Sequence, residues 1–169
     1  MDHTSNTIYV AFKVKETKKD FLKDSSVIIW TTTPWTIPAN KALAFNSGIE
    51  YSVLEIDDLE NFKDKKIIVA KNLIDTITKE CEIKKFRELK SFKGSELKDT
   101  VCSHPFVKMN FDYDVPMLDA QFVNLEQGTG IVHCAPSHGP DDFNLCLKNN
   151  IPSLYTVDNA GLYTKEIPY

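Results

Sequence analysis

The chain has 169 residues, of which 42% are hydrophobic and 26% charged, and its formal net charge at pH 7 is -4. This length and composition predict one packed domain and exclude a disordered chain. The negative charge argues against a domain that grips nucleic acid by electrostatics alone, although it leaves contact with a nucleic-acid end open. The sequence shows no apolar run near the roughly 20 residues of a membrane span and no signal peptide, so we expect a cytoplasmic protein without membrane contact.

The first half of the chain predicts a series of short strands. Residues 7–15 alternate between apolar and polar positions, which is typical of a half-buried strand. Residues 26–33 are rich in β-branched and aromatic side chains and predict a central strand that ends at Pro34. The prolines within residues 34–40 fix the backbone there and predict an ordered loop. Further strands are predicted at residues 41–45, 51–56 and 67–70.

The second half predicts one helix and more strands before residue 128. Helical spacing of apolar residues over 72–81, with Asn72 as a cap, predicts a helix. Residues 82–92 predict a strand with alternating charge, and residues 101–109 lead to further β segments near 115–118 and 122–125. Short strands this frequent favour a β-barrel or a β-sandwich over alternating β–α units.

Residues 128–143 combine a turn, a strand and the start of a helix. Gly128 and Gly130 frame a tight turn, and Ile131 and Val132 predict a short buried strand. The next residues contain two prolines and a glycine, which predict a sharp corner.

A helix is predicted to begin directly after that corner. Pro140 suits the first helical position, because its missing N–H would be unpaired there in any case. The helix dipole favours the carboxylates of Asp141 and Asp142 in the first turn. The predicted apolar face of this helix consists of Phe143, Cys146, Leu147 and Ile151.

Two polar residues lie beside the corner, where a scaffold can present side chains to a ligand. His133, at the end of an apolar strand, is either a hydrogen-bonded structural residue or part of a site. Asp142 either supplies charge to the start of its helix or receives an ammonium group in a partly desolvated pocket, where such a pair is strong. The residues alone leave both interpretations open.

A second group of candidates follows the predicted central strand. Thr31, Thr32 and Thr33 suit a strand, but three hydroxyls before a fixed proline turn can also orient a water molecule or bind a carbonyl or ribose oxygen. Trp35 is either a core residue or a platform for a base or side chain. Asn40 is either a turn residue or part of the same site.

The usual catalytic and metal-binding signatures are absent from the sequence. It contains no G-x-S-x-G elbow, no P-loop, no G-x-G-x-x-G in a βαβ context and no H-E-x-x-H, so any hydrolysis is expected to use bound water. Cys81, Cys102, Cys134 and Cys146 form no C-x-x-C pair and are expected to be reduced thiols. A zinc site of Cys134, His138 and Cys146 would match no common zinc spacing. We expect neither a metal nor a cofactor.

Two separated segments together resemble the signature segments of the editing domain of isoleucyl-tRNA synthetase. Residues 30–40 read WTTTPWTIPAN, and the matching positions of residues 128–142 read GTGIVH, then AP, Gly139 and Asp142. This editing domain, connective peptide 1, is inserted into a class I catalytic core. The related valyl and leucyl enzymes carry an Arg-Pro-acid version of the first segment, whereas residues 33–35 read TPW, the isoleucyl type. The resemblance spans nearly the whole chain.

The resemblance implies a mainly β fold with a closed six-stranded β-barrel core and peripheral α-helices. It implies that residues 1–169 form a single editing domain excised from a longer synthetase chain. The His-Ile-Gly-His and Lys-Met-Ser-Lys-Ser signatures of the aminoacylation site are absent, so we expect no amino-acid activation and no use of ATP.

The activity implied is hydrolysis of valine wrongly attached to isoleucine tRNA, and of valyl-adenylate before transfer. One methylene is worth only about 1–3 kcal/mol, and discrimination of isoleucine from valine by the isoleucyl enzyme is the standard worked example of that limit. A second, smaller pocket can admit valine and exclude isoleucine by size. The partners implied are the 3′ end of tRNA(Ile) carrying valine, valyl-adenylate and the rest of the synthetase chain, with a monomer expected.

The resemblance also implies roles for individual residues. Asp142 matches the aspartate that binds the α-ammonium group, and His133 matches the histidine that lines the side-chain pocket. The implied catalytic residues are Thr31, Thr32, Thr33 and Asp142, and the implied substrate-binding residues are Trp35, Asn40, His133 and Asp142. Trp35 and Asn40 would shape the pocket and hold the terminal adenosine, whose ribose hydroxyl would assist the water.

Two other functional classes fit the residues as well. A binding-only module would hold the 3′ end of tRNA without hydrolysis. A metal-dependent hydrolase would use His133, Cys134 and His138, although the spacing of these residues argues against it.

Overall fold

The computed structural model describes residues 6–57 and 64–168. Within these residues the strands are β1 Ile8–Glu16, β2 Ser26–Thr31, β3 Ala42–Phe45, β4 Glu50–Ile56, β5 Lys66–Ala70, β6 Phe86–Lys93, β7 Val101–Ser103, β8 Asp114–Asp119 and β9 Val132–Cys134. The α-helices are α1 Ile74–Glu80 and α2 Pro140–Lys148, and a 3₁₀ helix, Pro34–Ala39, follows β2. The prediction of a mainly β fold is confirmed.

The nine strands pair in one mixed sheet in the order β6–β4–β5–β2–β1–β7–β8–β3–β9. The pairs β2–β5 and β3–β8 are parallel, and the others are antiparallel. Within the described ranges the two outer strands, β6 and β9, do not pair with each other. The sheet is therefore open, and the expectation of a closed six-stranded β-barrel is wrong.

Two glycines form the turn that precedes β9. Gly128 and Gly130 have φ angles of 81° and 78°, a left-handed conformation that does not continue a strand. Thr129, between them, reaches the neighbouring strands only through single hydrogen bonds. It accepts one from the N–H of Ala70 over 2.8 Å and donates one from its hydroxyl to the carbonyl of Ile28 over 2.6 Å. These bonds attach the turn before β9 to β5 and β2 at single points and form no ladder.

The backbone of Gly130 lies so close to Ala70 that there is no room for a side chain, and this predicts the effect of a substitution on stability. A Cβ at Gly130 would lie 2.5 Å from the Cβ of Ala70, whereas a Cβ at Gly161, with a similar φ of 79°, would meet no atom within 4 Å. Gly130→Ala is therefore expected to lower the free energy of unfolding by roughly 2 kcal/mol more than Gly161→Ala, which suffers only backbone strain. Urea unfolding of both variants measures the difference, and equal losses would contradict the close packing.

The core lies along β1, β2, β4 and β5, where Phe12, Ile28 and Leu54 are fully buried. A smaller cluster under α2 consists of Ala42, Ala44, Ala120, Val123, Cys134, Leu145 and Cys146. None of the helices in the described part of the chain is long and apolar enough to cross a membrane.

Several local predictions need correction. Residues 34–39 form a 3₁₀ helix rather than a loop, and residues 122–125 lie in an irregular segment instead of a strand. The helix α1 begins only at Ile74, after a 3₁₀ turn, and no side chain caps it, so the prediction of Asn72 as a cap is wrong. Val132 is 36% exposed although it was predicted to be buried, while its neighbour Ile131 is buried as expected.

The helix α2 begins as predicted, but only part of its predicted apolar face is buried. Pro140 is its first residue, and Asp141 and Asp142 lie in its first turn. Cys146 is buried and Ile151 is partly buried, as predicted, whereas Phe143 and Leu147 are exposed and Leu145 is buried in their place. Leu145 and Cys146 belong to the same buried cluster as Ala42 and Ala44 of β3.

Candidate functional site

A cleft of about 190 Å³ lies where the end of β2, the 3₁₀ helix, β9 and the start of α2 meet. Its lining residues are Trp30, Thr31, Thr32, Thr33, Thr36, Val132, His133, Ala135, His138 and Asp142. Five of the seven predicted site residues are among them, and Trp35 and Asn40 are not. The cleft is smaller than the roughly 300–1,000 Å³ that drug-sized ligands occupy, so its size suits a single small group.

The strand pairing brings the two signature segments together. The 3₁₀ helix Pro34–Ala39 connects the threonines at the end of β2 to β3. Because β3 pairs with β9, with Leu43 opposite His133, the histidine lies against this helix although the two are almost 100 residues apart in sequence. The site therefore depends on a long-range contact between strands, not on either segment alone.

The imidazole of His133 is held by hydrogen bonds at both nitrogens. Nδ2 of Asn40 donates to the carbonyl oxygen of Ala42 over 3.0 Å. Because a carbonyl oxygen can only accept, this contact fixes which end of the Asn40 amide carries the nitrogen. The same Nδ2 donates to Nδ1 of His133 over 2.7 Å. Nε2 of His133 then carries the proton and donates to the hydroxyl of Thr36 over 2.9 Å, and Thr36 donates onward to the carbonyl of Thr33. His133 thus presents one defined tautomer.

Burial keeps this histidine neutral. It lowers the pKa of His133 to about 4, with smaller contributions from His104 and His138. His133 is therefore uncharged at neutral pH and forms a wall of the cleft that is polar but carries no charge. It is poorly suited to act as a general base, because a partner occupies each of its nitrogens.

The three threonines differ in how freely their hydroxyls can meet a ligand. Thr31 is buried, and its hydroxyl oxygen accepts a hydrogen bond from the N–H of Thr33 over 3.1 Å. Thr32 and Thr33 are exposed, and the Thr33 hydroxyl lies 3.3 Å from that of Thr31. Thr31 therefore shapes the turn, whereas Thr32 and Thr33 offer hydroxyls to whatever enters the cleft.

Asp142 is the carboxylate among the described residues that line the cleft. Its Oδ2 accepts a hydrogen bond from the N–H of Ala135 over 3.0 Å, which ties the corner after β9 to α2. Burial raises the pKa of this carboxyl, the bond from Ala135 lowers it, and the charge of Asp141 raises it. Among the described residues no lysine or arginine forms an ion pair with Asp142. A half-buried carboxylate without a cation is suited to a cationic ligand.

Trp35 lies at the rim of the cleft, and Asn40 lies behind its wall. Trp35 is 51% exposed, so its interpretation as a core residue is wrong, and its ring packs edge-on against that of His138 with centroids 5.0 Å apart. Asn40 is fully buried behind His133, so it orients the histidine and does not line the cleft.

The sequence indicated no role for Thr36, and it suggested His138 only as a ligand in hypothetical metal sites. Thr36 is buried and links His133 to the threonine turn. His138 lines the cleft and lies 2.9 Å from the hydroxyl of Thr156 through Nε2. The position of Thr36 three residues after Thr33, within a proline-restrained segment, was the available signal.

All four cysteines are free thiols, as predicted. Burial raises the pKa of Cys134 well above its usual value and raises that of Cys146 to about 11, so both are protonated at neutral pH. In the described ranges no group of three or more His, Cys, Asp or Glu residues is arranged to hold a metal ion.

A larger cavity of about 610 Å³ lies on the other side of α2, beside β7 and β8. The charged residues in its lining are Lys98, Asp99, Asp119 and Lys148. Of these, Asp99 already forms an ion pair with Lys18, and Asp119 accepts a hydrogen bond from the N–H of Ser47. The smaller cleft is the better candidate site because polar groups from four separate segments converge on it.

The buried histidines predict a dependence of stability on pH. Burial lowers the pKa of both His104 and His133 to about 4, below the value of about 6.5 expected in the unfolded chain. The unfolded chain therefore binds more protons, and stability is lost as the pH falls from about 6.5 towards 4. The raised pKa of Asp142 opposes this loss in part. We expect a decrease on the order of 1–2 kcal/mol per histidine between pH 7 and pH 5, measured by urea unfolding, and a smaller decrease in His133→Gln.

The family described as "Leucyl-tRNA synthetase, editing domain" matches residues 4–167. This chain belongs to that family. Among its sequence relatives, an isoleucine--tRNA ligase of Pelagibacter ubique (strain HTCC1062) is 60% identical over 167 residues, and one of Gluconobacter oxydans (strain 621H) is 42% identical over 174 residues. Each alignment covers 99% of this chain and 18% of the relative, so the chain spans less than a fifth of their length. The resemblance to the isoleucyl editing domain is confirmed.

Solved structures agree on the fold. The editing domain of the P. knowlesi cytosolic leucyl-tRNA synthetase superposes with a TM-score of 0.64 at 16% identity, over 85% of this chain and 60% of that one. The editing domain of the P. falciparum cytosolic enzyme gives a TM-score of 0.57 at 20% identity, over 77% of this chain and 50% of that one. At these identities the likeness shows that this editing domain shares their fold.

Proposed function

We propose that this editing domain hydrolyses the ester that joins valine to isoleucine tRNA, with valyl-adenylate as a second substrate. The observation that carries the proposal is the environment of Asp142. Of the described residues that line the cleft, it is the single carboxylate, and no lysine or arginine lines the cleft with it. An aminoacyl ester brings an α-ammonium group, which would form a charge-assisted hydrogen bond to Oδ1 of Asp142.

The ester would lie beside the exposed hydroxyls of Thr32 and Thr33. Water attacks the carbonyl carbon, the ester C–O bond breaks, valine leaves with its new carboxyl group, and a proton passes to the ribose oxygen. A protein base for this step is not evident, because His133 is held at both nitrogens and has a pKa of about 4. A ribose hydroxyl of the terminal adenosine therefore assists the water.

Selection by size would fall to the wall that His133 forms. The ring is locked by Asn40 and Thr36, so it cannot turn away from a larger side chain without breaking two hydrogen bonds. A rigid wall in a cleft of about 190 Å³ would accept valine and reject the extra methylene of isoleucine. A synthetic pocket large enough for isoleucine cannot exclude the smaller valine by size, so a second pocket that excludes isoleucine is needed.

The rest of the tRNA end would lie outside the cleft. The ring of Trp35 is half exposed at the rim and offers a flat apolar surface on which the terminal adenine can stack. The formal net charge of -4 gives this domain no general attraction for the tRNA backbone, so the rest of the synthetase chain would hold the tRNA body.

Binding of two non-hydrolysable analogues tests this proposal. Calorimetry would compare valyl-adenosine, linked by an amide, with the same compound lacking the α-amino group. We expect the amino compound to bind at least about tenfold more tightly, because one charge-assisted hydrogen bond contributes a gain in affinity of this size. Equal affinities would contradict the role of Asp142. Tight binding of the analogue without hydrolysis of the natural ester would indicate a binding-only module.

A further inference from the structure

An aromatic cluster supports the 3₁₀ helix from the side away from the cleft. Its members are His104, Phe111 and Tyr113, from the loop between β7 and β8, and we call it the aromatic buttress. The ring of His104 stacks on Phe111 with centroids 4.7 Å apart and an interplanar angle of 16°, and it lies 5.4 Å from the ring of Tyr113. His104 is 1% exposed, so this is a packed interior contact.

His104 holds the carbonyl to which Asn40 is anchored. Its Nδ1 accepts a hydrogen bond from the N–H of Phe106 over 3.1 Å, so the ring proton lies on Nε2. Nε2 then donates to the carbonyl of Ile37 over 3.0 Å. The same carbonyl accepts the N–H of Asn40 over 3.0 Å. The end of the 3₁₀ helix is therefore fixed by two donors at one oxygen.

Tyr113 holds Asn40 from its other side. The hydroxyl of Tyr113 donates to the carbonyl of Asn40 over 2.7 Å. The ammonium group of Lys41 lies 3.8 Å from the centre of the Tyr113 ring and restricts its movement. The aromatic buttress therefore contacts the carbonyl of Asn40 directly, and it restrains the N–H of Asn40 through the carbonyl of Ile37. The side chain of Asn40 then donates from Nδ2 to Nδ1 of His133 over 2.7 Å.

We propose that His104 and Tyr113 are positioning residues for side-chain selection: they fix Asn40, Asn40 fixes the tautomer and tilt of His133, and His133 faces the ligand. If the backbone of Asn40 shifts, its Nδ2 leaves Nδ1 of His133, and the imidazole can then rotate or exchange its proton between nitrogens. The consequence for selection rests on the function proposed for the cleft, whereas the effect on the state of His133 does not.

Tyr113→Phe tests this inference, because it removes one hydroxyl and keeps the ring in the aromatic buttress. Nitrogen NMR of the histidine rings reports the tautomer of His133, and paired deacylation assays report the ratio of valine to isoleucine release. We expect the His133 ring signals to shift and the ratio to fall about three- to tenfold, the factor that one lost neutral hydrogen bond corresponds to. The rate with valine should change much less than the ratio.

The matched control is Tyr9→Phe, whose hydroxyl donates to Glu80 on α1 and takes no part in the contacts of Asn40. His104→Phe is a second variant that keeps the aromatic packing and removes the donor to the carbonyl of Ile37. If the His133 signals and the release ratio in both buttress variants match those of Tyr9→Phe, the positioning role is wrong. Shifted His133 signals with an unchanged ratio would overturn the link to selection. If the wild-type domain released neither amino acid while Tyr113→Phe still shifted the signals, the proposed function would fail and the positioning of His133 would stand.

Discussion

Asp142→Asn is expected to reduce kcat/KM for the release of valine from isoleucine tRNA by at least about 100-fold. The substitution keeps an oxygen that can accept the hydrogen bond from the N–H of Ala135, so the corner between β9 and α2 should persist. It removes the charge that would pair with the α-ammonium group in a partly desolvated cleft. Removing one partner of such a pair costs roughly 3–5 kcal/mol, which corresponds to a factor of more than 100. Single-turnover deacylation measures the loss.

Asp141→Asn is the matched control for this experiment. Asp141 is the adjacent residue in the first turn of α2, it is exposed, and it does not line the cleft. Both variants lose one negative charge near the start of the same helix. The net charge and the favourable interaction with the helix dipole therefore change by similar amounts in the two proteins. Full activity in Asp141→Asn and loss in Asp142→Asn would assign the effect to the ligand. A large drop in the unfolding temperature of Asp142→Asn would instead show that its carboxylate serves the fold.

His133→Ala is expected to relax selection between valine and isoleucine. Removing the imidazole opens space beside the position of the ligand side chain, so the extra methylene of isoleucine no longer meets a wall. Because one methylene is worth about 1–3 kcal/mol, the ratio of valine to isoleucine release should fall by roughly tenfold or more. The release of isoleucine from its own tRNA should become measurable. Parallel time courses with the two aminoacyl-tRNAs give the ratio.

His138→Ala provides the comparison for His133→Ala. His138 also lines the cleft, but it lies at the rim against Trp35, and its Nε2 lies beside the hydroxyl of Thr156. Its loss should weaken binding of both aminoacyl-tRNAs similarly and leave the ratio unchanged. If both histidine variants lowered the ratio equally, the position of His133 would have no special part in selection. His133→Ala will also be less stable, because Asn40 and Thr36 lose a buried partner.

Strands and the corner at residues 128–143 were predictable because their signals are local. Alternation in β1 and the β-branched run of β2 express the period and packing of strands directly. Pro140 marks the start of α2 because it lacks an N–H that would be unpaired there, and the two aspartates mark it because the helix dipole favours negative charge in the first turn. The membership of His133 and Asp142 in one cleft followed from the resemblance of two segments.

The open sheet and the contacts behind the cleft depend on long-range geometry. The resemblance implied a closed barrel, but within the described residues the outer strands β6 and β9 do not pair, and no local pattern in the sequence determines whether two such distant strands meet. His104 and Ile37 are 67 residues apart, and no local pattern connects them. The periodicity of α2 predicted burial of Cys146 correctly but not the burial of Leu145, which packs against the small residues of β3.

Single-turnover deacylation of two substrates by the wild-type domain is the most direct test of its function. Isoleucine tRNA carrying valine and isoleucine tRNA carrying isoleucine would be mixed separately with the domain, and again with Asp142→Asn. We expect wild-type protein to release valine at least about tenfold faster than isoleucine, with Asp142→Asn near the uncatalysed rate for both. Equal release of the two amino acids by wild-type protein, or undiminished release by Asp142→Asn, would contradict an editing site in this cleft.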